Sequence, residues 1–418
     1  MKVSVSKSEV NGKLIAPSSK SYTIRGLMCA ALSRGESEVV NPLISDDTLA
    51  AADVLNHIGV SIQREKDVWR VIGGDLRVPI TDLYCGDSAA TLRFMTAICS
   101  LIPGKCRLIA GPSLAKRPVE PLIQALRQLG VNCSSEDGLP PVTVSSGGLR
   151  GGETELPGDI SSQFVSALLL IASFAEKGMT IRLTTPLRSK PYVEMTLECL
   201  KKFGIVVSWT ADKFDVARQI YRPARCDVEG DWSSLSYFLA LGAVSGRVEV
   251  TNLNSESLQG DRIMLSFLRE MGAAVEVRGN SVIVKKLRFK AIRADLTDCI
   301  DLLPTMAVLA AVTDGVSEFT GIERARIKES DRVVAIKEGL ERMGIKVKEE
   351  KDKLTVVGAK PKGTVIDSHK DHRIAMAFSI LGIVVGETQI DGAECVAKTF
   401  PQFWDILKSI GGKVHIYE

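Results

Sequence analysis

The sequence predicts an α/β protein of six β-α-β-α-β-β units, three to a domain, and two repeated patterns predict it. The first reads Leu, two variable residues, an apolar residue, Gly, then alternating apolar positions. It occurs at Leu55–Ile62, Leu126–Cys133, Leu200–Val207, Leu268–Val275, Leu340–Val347 and Leu407–Val414. Its glycines (Gly59, Gly130, Gly204, Gly272, Gly344, Gly411) recur roughly every 70 residues. A helix that ends on a glycine in the left-handed cap, followed at once by a strand of period two, produces this pattern. The second pattern is a set of Ala-, Leu- and Met-rich segments interleaved with the first. They begin near Ser19, Ser88, Ser161, Ser233, Asp301 and Asp371, end at Gly35, Gly104, Gly178, Gly246, Gly315 and Gly386, and lead into strands such as Val248–Val250. Each unit therefore holds two helices and several short strands. One layered unit cannot cover both faces of its helices, so the six are expected to group into two bodies of three. The polar, proline-containing stretch Arg218–Asp231 is the expected boundary.

Composition narrows the function classes. Across 418 residues, 53 Lys and Arg stand against 50 Asp and Glu, a formal charge of +3. A protein built to coat nucleic acid or an anionic membrane carries a marked basic excess, so any positive site here is local. Residues Met1–Val10 alternate polar and apolar, and runs such as Ala167–Ala172 are core-sized, so neither a signal peptide nor a membrane span is expected. Nine cysteines, an odd number without a Cys-x-x-Cys pair, read as reduced thiols of a cytoplasmic protein and leave no structural zinc or haem attachment.

The residues at the helix starts carry the chemistry. First helices open with Pro17-Ser18-Ser19-Lys20-Ser21, Asp87-Ser88, Asp159-Ile160-Ser161-Ser162-Gln163, Asp231-Trp232-Ser233-Ser234, Asp301 and Asp371-His372-Arg373. Second helices open near Ser45-Asp46-Asp47, Lys116-Arg117-Pro118, Ser189-Lys190-Pro191-Tyr192, Gln259-Gly260-Asp261-Arg262, Lys328-Glu329-Ser330-Asp331-Arg332 and Lys398-Thr399-Phe400-Pro401. The Ser and Asp residues suit N-caps, and the residues alone make Asp301 a plain cap. Capping does not explain Lys20, Arg25, Arg117, Lys328, Arg332, Arg373 and Lys398, because cations at a helix N-terminus oppose the macrodipole. An anion seated between cation and helix end removes the conflict. If these helix starts share a cleft, it becomes a trap for polyanionic small molecules. There is no Gly-x-x-x-x-Gly-Lys-Ser/Thr loop and no Gly-x-Gly-x-x-Gly. His369 and His372 lack a third ligand nearby, so no metal is expected. Ser19-Lys20 reads as a cap followed by a phosphate-binding lysine rather than a nucleophile pair, and Phe94, Met95 and Phe164 read as core.

The stretch Pro17–Arg25 resembles the N-terminal signature of the EPSP synthase family of enolpyruvyl transferases. Further matches are Lys116-Arg117-Pro118, Ser161–Phe164, Ser189–Tyr192, Ile327–Arg332, Asp371–Met376 and Ala397–Pro401. The resemblance implies the two-domain enolpyruvyl transferase fold, an inside-out α/β barrel with domains 15–228 and 1–14 plus 229–418, and an active site in the cleft between them. The implied reaction moves the enolpyruvyl group of phosphoenolpyruvate to the 5-hydroxyl of shikimate 3-phosphate and releases phosphate. By motif, Lys20, Ser21, Arg25, Ser161, Ser162, Gln163, Ser189, Asp301 and Lys328 are expected to hold shikimate 3-phosphate. Lys20, Ala89, Arg93, Arg117, Gln163, Arg332, Arg373 and Lys398 are expected at phosphoenolpyruvate. Asp301 is the expected base and Glu329 the proton donor to carbon, with Lys20 assisting. No cofactor, nucleic acid or membrane partner is implied, and a monomer is expected. The sister enzyme acting on UDP-N-acetylglucosamine is disfavoured because Gly111–Lys116 lacks that enzyme's loop cysteine. A six-unit nucleic-acid clamp would need bases spread around a bore, and a catalytically dead sensor would not need both Asp301 and Glu329. Two departures stand out. Ala89 replaces the family's usual glycine, which is expected to weaken glyphosate at the phosphoenolpyruvate site, and Arg324 lies where some members use Asn.

Overall fold

The computed structural model describes residues 1–417 and divides into two compact units, Ser18–Glu229 and Met1–Pro17 with Gly230–Glu418. In each, three helices are apolar on nearly every face, and a helix of that kind must be surrounded by protein.

In the Ser18–Glu229 unit these are Lys20–Leu32, Ala89–Ile98 and Ser162–Ala172. Three others, Asp46–His57, Glu120–Gln128 and Lys190–Lys202, bury only a stripe, for example Val54 and Leu55, Leu122 and Leu126, or Val193 and Leu200. Three four-stranded sheets repeat one topology. Leu83–Tyr84 runs parallel to Gly104–Ile109, which pairs antiparallel with Leu139–Ser146 and through it with Asn132–Glu136. Gly152–Leu156, Met179–Leu183, Lys213–Val216 and Ser208–Trp209 follow the same order. Trp69, Phe94, Phe164, Phe203 and Phe214 sit in the shared core.

The other unit is built likewise. Trp232–Ser245, Leu303–Ala311 and His372–Val385 are enclosed, while Met264–Glu270, Arg332–Arg342 and Phe403–Ser409 are partly exposed. Chain connectivity departs from simple repetition in two places. Asn11–Ile15 precedes the first helix yet pairs with Arg247–Thr251, and Arg225–Asp227 takes the equivalent place beside Gly35–Val40. Lys2–Ser6 lies between Thr388–Asp391 and Lys413–Tyr417, completing the sheet of the last repeat.

The six repeat glycines all adopt positive φ, between 84° and 103°, a region that favours a residue without Cβ. Three second-helix starts fall later than the sequence suggests. The 3₁₀ turns Leu114–Lys116, Gly260–Ile263 and Ala393–Lys398 come first, and the helices begin at Glu120, Met264 and Phe403. The helix from Arg332 begins within the expected string, after the 3₁₀ turn Glu323–Ile327. Arg117 precedes Pro118 and is extended, as a residue before proline must be. Arg117 and Lys328 thus stand in links, and Lys398 ends a 3₁₀ turn, instead of occupying first helical turns.

One glycine tests the packing of the partly exposed layer on the enclosed one. A Cβ on Gly339, in Arg332–Arg342, would be driven into the ring of Phe378 on the enclosed helix His372–Val385, and that ring is fully buried. Gly339→Ala should lower stability by about 1–3 kcal/mol, read as a shift of the urea midpoint without a change in slope.

Candidate active site

In the Met1–Pro17 and Gly230–Glu418 unit, six of the expected residues form one ionic network centred on Arg332. Asp331 caps its helix by accepting from the Val334 N–H at 3.1 Å, so Arg332 occupies the first helical position with a side chain 1% exposed. Its Nη1 donates to Asp301 Oδ1 at 2.7 Å, its Nη2 to Glu329 Oε2 at 2.7 Å, and its Nε to Asp371 Oδ2 at 2.8 Å. Arg373 Nη2 donates to the other Asp301 oxygen at 3.1 Å and its Nη1 to the Tyr237 hydroxyl at 3.4 Å. Lys328 Nζ lies 3.4 Å from Asp301 Oδ1, and Lys398 Nζ lies 3.4 Å from Glu329 Oε1. Asp371 also accepts from Ser330 at 3.0 Å and caps its own helix through the Arg373 N–H at 2.9 Å.

The electrostatics follow from this packing. Burial pushes the Asp301 carboxyl up, but the charges of Arg373, Lys328 and Arg332 outweigh it and hold Asp301 well below the usual carboxylate range, with Glu329 opposing. Burial favours loss of the Arg332 proton, and Asp371, Glu329 and Asp301 reverse that, fixing the guanidinium as a cation. Asp301 is therefore no N-cap. It lies inside the 3₁₀ turn Ile300–Leu302, and its two oxygens bind cations. Arg332 reads as the structural hub of the site, with each of its nitrogens committed to a carboxylate.

The Ser18–Glu229 unit holds the remaining residues in smaller groups. Ser19 caps the first helix through the Tyr22 N–H, and Lys20, the next residue, donates to Asp47 Oδ2 at 2.8 Å, whose carboxylate is 4% exposed. Arg93 Nη1 reaches Ser161 Oγ at 3.0 Å and Gln163 Oε1 at 2.8 Å, its Nη2 reaches the Pro118 carbonyl at 3.0 Å, and its guanidinium lies over the Phe164 ring. Ala89, one turn earlier on the same helix, is its first residue. Arg117 and Ser162 are buried. Ser189 is held at φ 54°, ψ 42°, ahead of Lys190–Lys202, a strained conformation for a residue with Cβ and one that gathers at functional sites. Arg25 is 2% exposed and bound within the protein, its Nε to Thr196 at 2.8 Å, Nη1 to the Ser21 carbonyl at 3.0 Å and Nη2 to the Tyr192 carbonyl at 2.9 Å. Arg324 donates to the Thr297 carbonyl.

Sequence reasoning missed Asp47, Asp371 and Tyr237 as members of these networks. Asp47 and Asp371 stand in helix-start strings and look like caps. Their additional role appears only when a cation from a distant segment folds onto them. Among the described residues no group of three or more His, Cys, Asp or Glu side chains is placed to hold a metal ion, and no helix is long and apolar enough to cross a membrane.

The EPSP synthase (3-phosphoshikimate 1-carboxyvinyltransferase) family model matches residues 5–407. A 3-phosphoshikimate 1-carboxyvinyltransferase of Dehalococcoides mccartyi is 50% identical over 419 residues, 99% of each chain, and that of Methanocaldococcus jannaschii is 39% identical over 417 residues, 97% of each chain. An EPSP synthase structure from Acinetobacter baumannii superposes with TM-score 0.84 at 27% identity, covering 100% of both chains.

Arg332→Ala should cost about 3–5 kcal/mol at pH 7, because it removes a buried cation bonded to three buried carboxylates. Asp301 has a depressed folded pKa, so its ionic contribution is full above the unfolded carboxylate value of about 4 and disappears as pH falls through the folded value. The gap between wild type and Arg332→Ala should accordingly narrow below pH 4. Urea unfolding at pH 7 and pH 3.5 measures both.

Proposed function

Because the chain belongs to the EPSP synthase family, we propose a division of labour among its site residues for that family's reaction. The chain transfers the enolpyruvyl group of phosphoenolpyruvate to the 5-hydroxyl of shikimate 3-phosphate and releases phosphate, a step of the shikimate pathway. Asp301 takes the proton of the 5-hydroxyl as its oxygen attacks C2 of phosphoenolpyruvate. Glu329 gives a proton to the methylene carbon, with Lys20 assisting, and a tetrahedral intermediate forms. Loss of a proton from the new methyl group, back to Glu329, then expels phosphate. Lys20, Ser21, Arg25, Ser161, Ser162, Gln163, Ser189, Asp301 and Lys328 hold shikimate 3-phosphate. Lys20, Ala89, Arg93, Arg117, Gln163, Arg332, Arg373 and Lys398 serve phosphoenolpyruvate. Four of the cations among them, Lys20, Lys328, Arg373 and Lys398, have carboxylate partners that anionic substrates can replace.

The observation that carries this reading is the Arg332 fork, whose two terminal nitrogens hold Asp301 and Glu329 at 2.7 Å each. A base and an acid fixed to one rigid group keep a constant separation. Asp301 is a weak base while Arg373 and Lys328 face it. A substrate anion that draws those two cations away raises its proton affinity at the moment of reaction. Nine free cysteines suit a reducing cytoplasm.

Phosphate release from phosphoenolpyruvate and shikimate 3-phosphate tests the assignment. Asp301→Asn and Glu329→Gln should each lower kcat by about 10²–10⁴, and Glu329→Gln should also abolish exchange of solvent deuterium into the methylene group. Wild-type turnover by Asp301→Asn would overturn its role as base. Ala89→Gly should bind glyphosate about tenfold more tightly than the parent, a gain of about 1.4 kcal/mol from relief of one methyl. Equal inhibition constants would remove Ala89 from the site.

A further inference from the structure

Behind the Arg332 network lies a carboxyl group that the reaction scheme does not use. Asp261, on the 3₁₀ turn Gly260–Ile263, is 2% exposed. Its Oδ2 accepts from the Ser233 hydroxyl, and its Oδ1 is buried with no hydrogen-bond partner. The ionisable groups that act on it come from three directions: Asp301 with Cys299 from the Asp301 turn, Asp231 with Ser233 from the start of Trp232–Ser245, and Arg373 from His372–Val385. Arg373 is the one cation among these, and it is already bound to Asp301.

The proton on Asp261 alters the charge that faces the substrates. Lys328, Arg332, Arg373 and Lys398 are paired with Asp301, Glu329 and Asp371, and Asp231 adds a further carboxylate beside Asp261. An ionised Asp261 would add negative charge to a cluster that must receive two polyanions. An ionised Asp261 would also be a buried carboxylate with one oxygen unsatisfied, the costliest state for such a group.

We propose that Asp261 is a positioning residue that carries a proton in the working enzyme, and that its ionisation shuts the site by placing a negative charge behind Asp301 and Arg373. Burial, followed by the Asp301 charge, pushes this carboxyl up to about 7 despite Arg373 and Ser233, so the switch lies within the physiological range. The proposal rests on the assignment of Asp301 and Arg373 to the reaction centre. As the proton leaves, the site weakens its hold on phosphoenolpyruvate, and KM rises.

The test is the pH profile of kcat/KM for phosphoenolpyruvate between pH 5.5 and 9. Wild type should fall about tenfold across the ionisation. Asp261→Asn, which fixes the neutral form, should lose that fall. Ser233→Ala removes a hydrogen bond to the ionised form and should move the fall to higher pH. Infrared spectroscopy of the wild-type protein supplies a readout independent of turnover: a protonated-carboxyl band that titrates near neutrality and moves in Ser233→Ala. Superimposable profiles of wild type and Asp261→Asn, or the absence of a titrating carboxyl band, would overturn the proposal. If Asp301→Asn keeps wild-type turnover while the band titrates, the assignment of Asp301 fails and the protonation of Asp261 stands.

Discussion

A single buried guanidinium organises the chemistry of this protein. Three carboxylates bonded to one group would repel strongly in a low-dielectric interior, and Arg332 offsets this by meeting Asp301, Glu329 and Asp371 each with its own nitrogen, while Arg373, Lys328 and Lys398 add charge at Asp301 and Glu329. The planar fork sets the spacing of its partners as well as their charge. A lysine at this position would neutralise one carboxylate and orient none. The positions of Lys328, Lys398 and Arg373 follow in turn, since each is bound to a carboxylate that Arg332 has fixed.

The fold makes such a cluster possible by separating tasks between two kinds of helix. Enclosed helices such as Leu303–Ala311 and His372–Val385 are buried on nearly every face and supply a packed floor. The partly exposed helices and their preceding turns present the polar ends. The carboxylates Asp331 and Asp371 stand at helix starts, where backbone N–H groups satisfy them. Asp371 shows the economy of this arrangement: one carboxylate caps a helix, accepts from Ser330 and anchors Arg332.

Much of this was readable from the sequence because the repeat states it six times. The glycine caps and the alternation that follows them depend on local backbone chemistry, so Gly59 or Gly344 announces a helix end without tertiary information. The cations at the helix starts were readable as a group, since they contradict the dipole rule that the surrounding residues obey. Pairings of residues distant in sequence were hidden. Nothing local to Asp47 says that Lys20 will fold onto it, and nothing near Asn11–Ile15 says that it will pair with Arg247–Thr251 instead of serving the helix it precedes. Three helix starts were misjudged because a 3₁₀ turn and an extended residue before proline intervene, as at Arg117. Asp261 was named only as part of a helix-start string. Its burial and its lack of a cation of its own are three-dimensional properties.

The placement of Lys2–Ser6 between Thr388–Asp391 and Lys413–Tyr417 has a consequence for biosynthesis. During translation this strand is made before residues 11–385 and its two neighbours after them, so it waits with both edges unpaired while those residues are made. The Met1–Pro17 and Gly230–Glu418 unit, which carries Arg332, therefore completes this sheet only after Lys413–Tyr417 has been made. A ribosome stalled before Thr388 would have made the charged residues of the Arg332 network except Lys398, on a body whose sheet around Lys2–Ser6 is still incomplete.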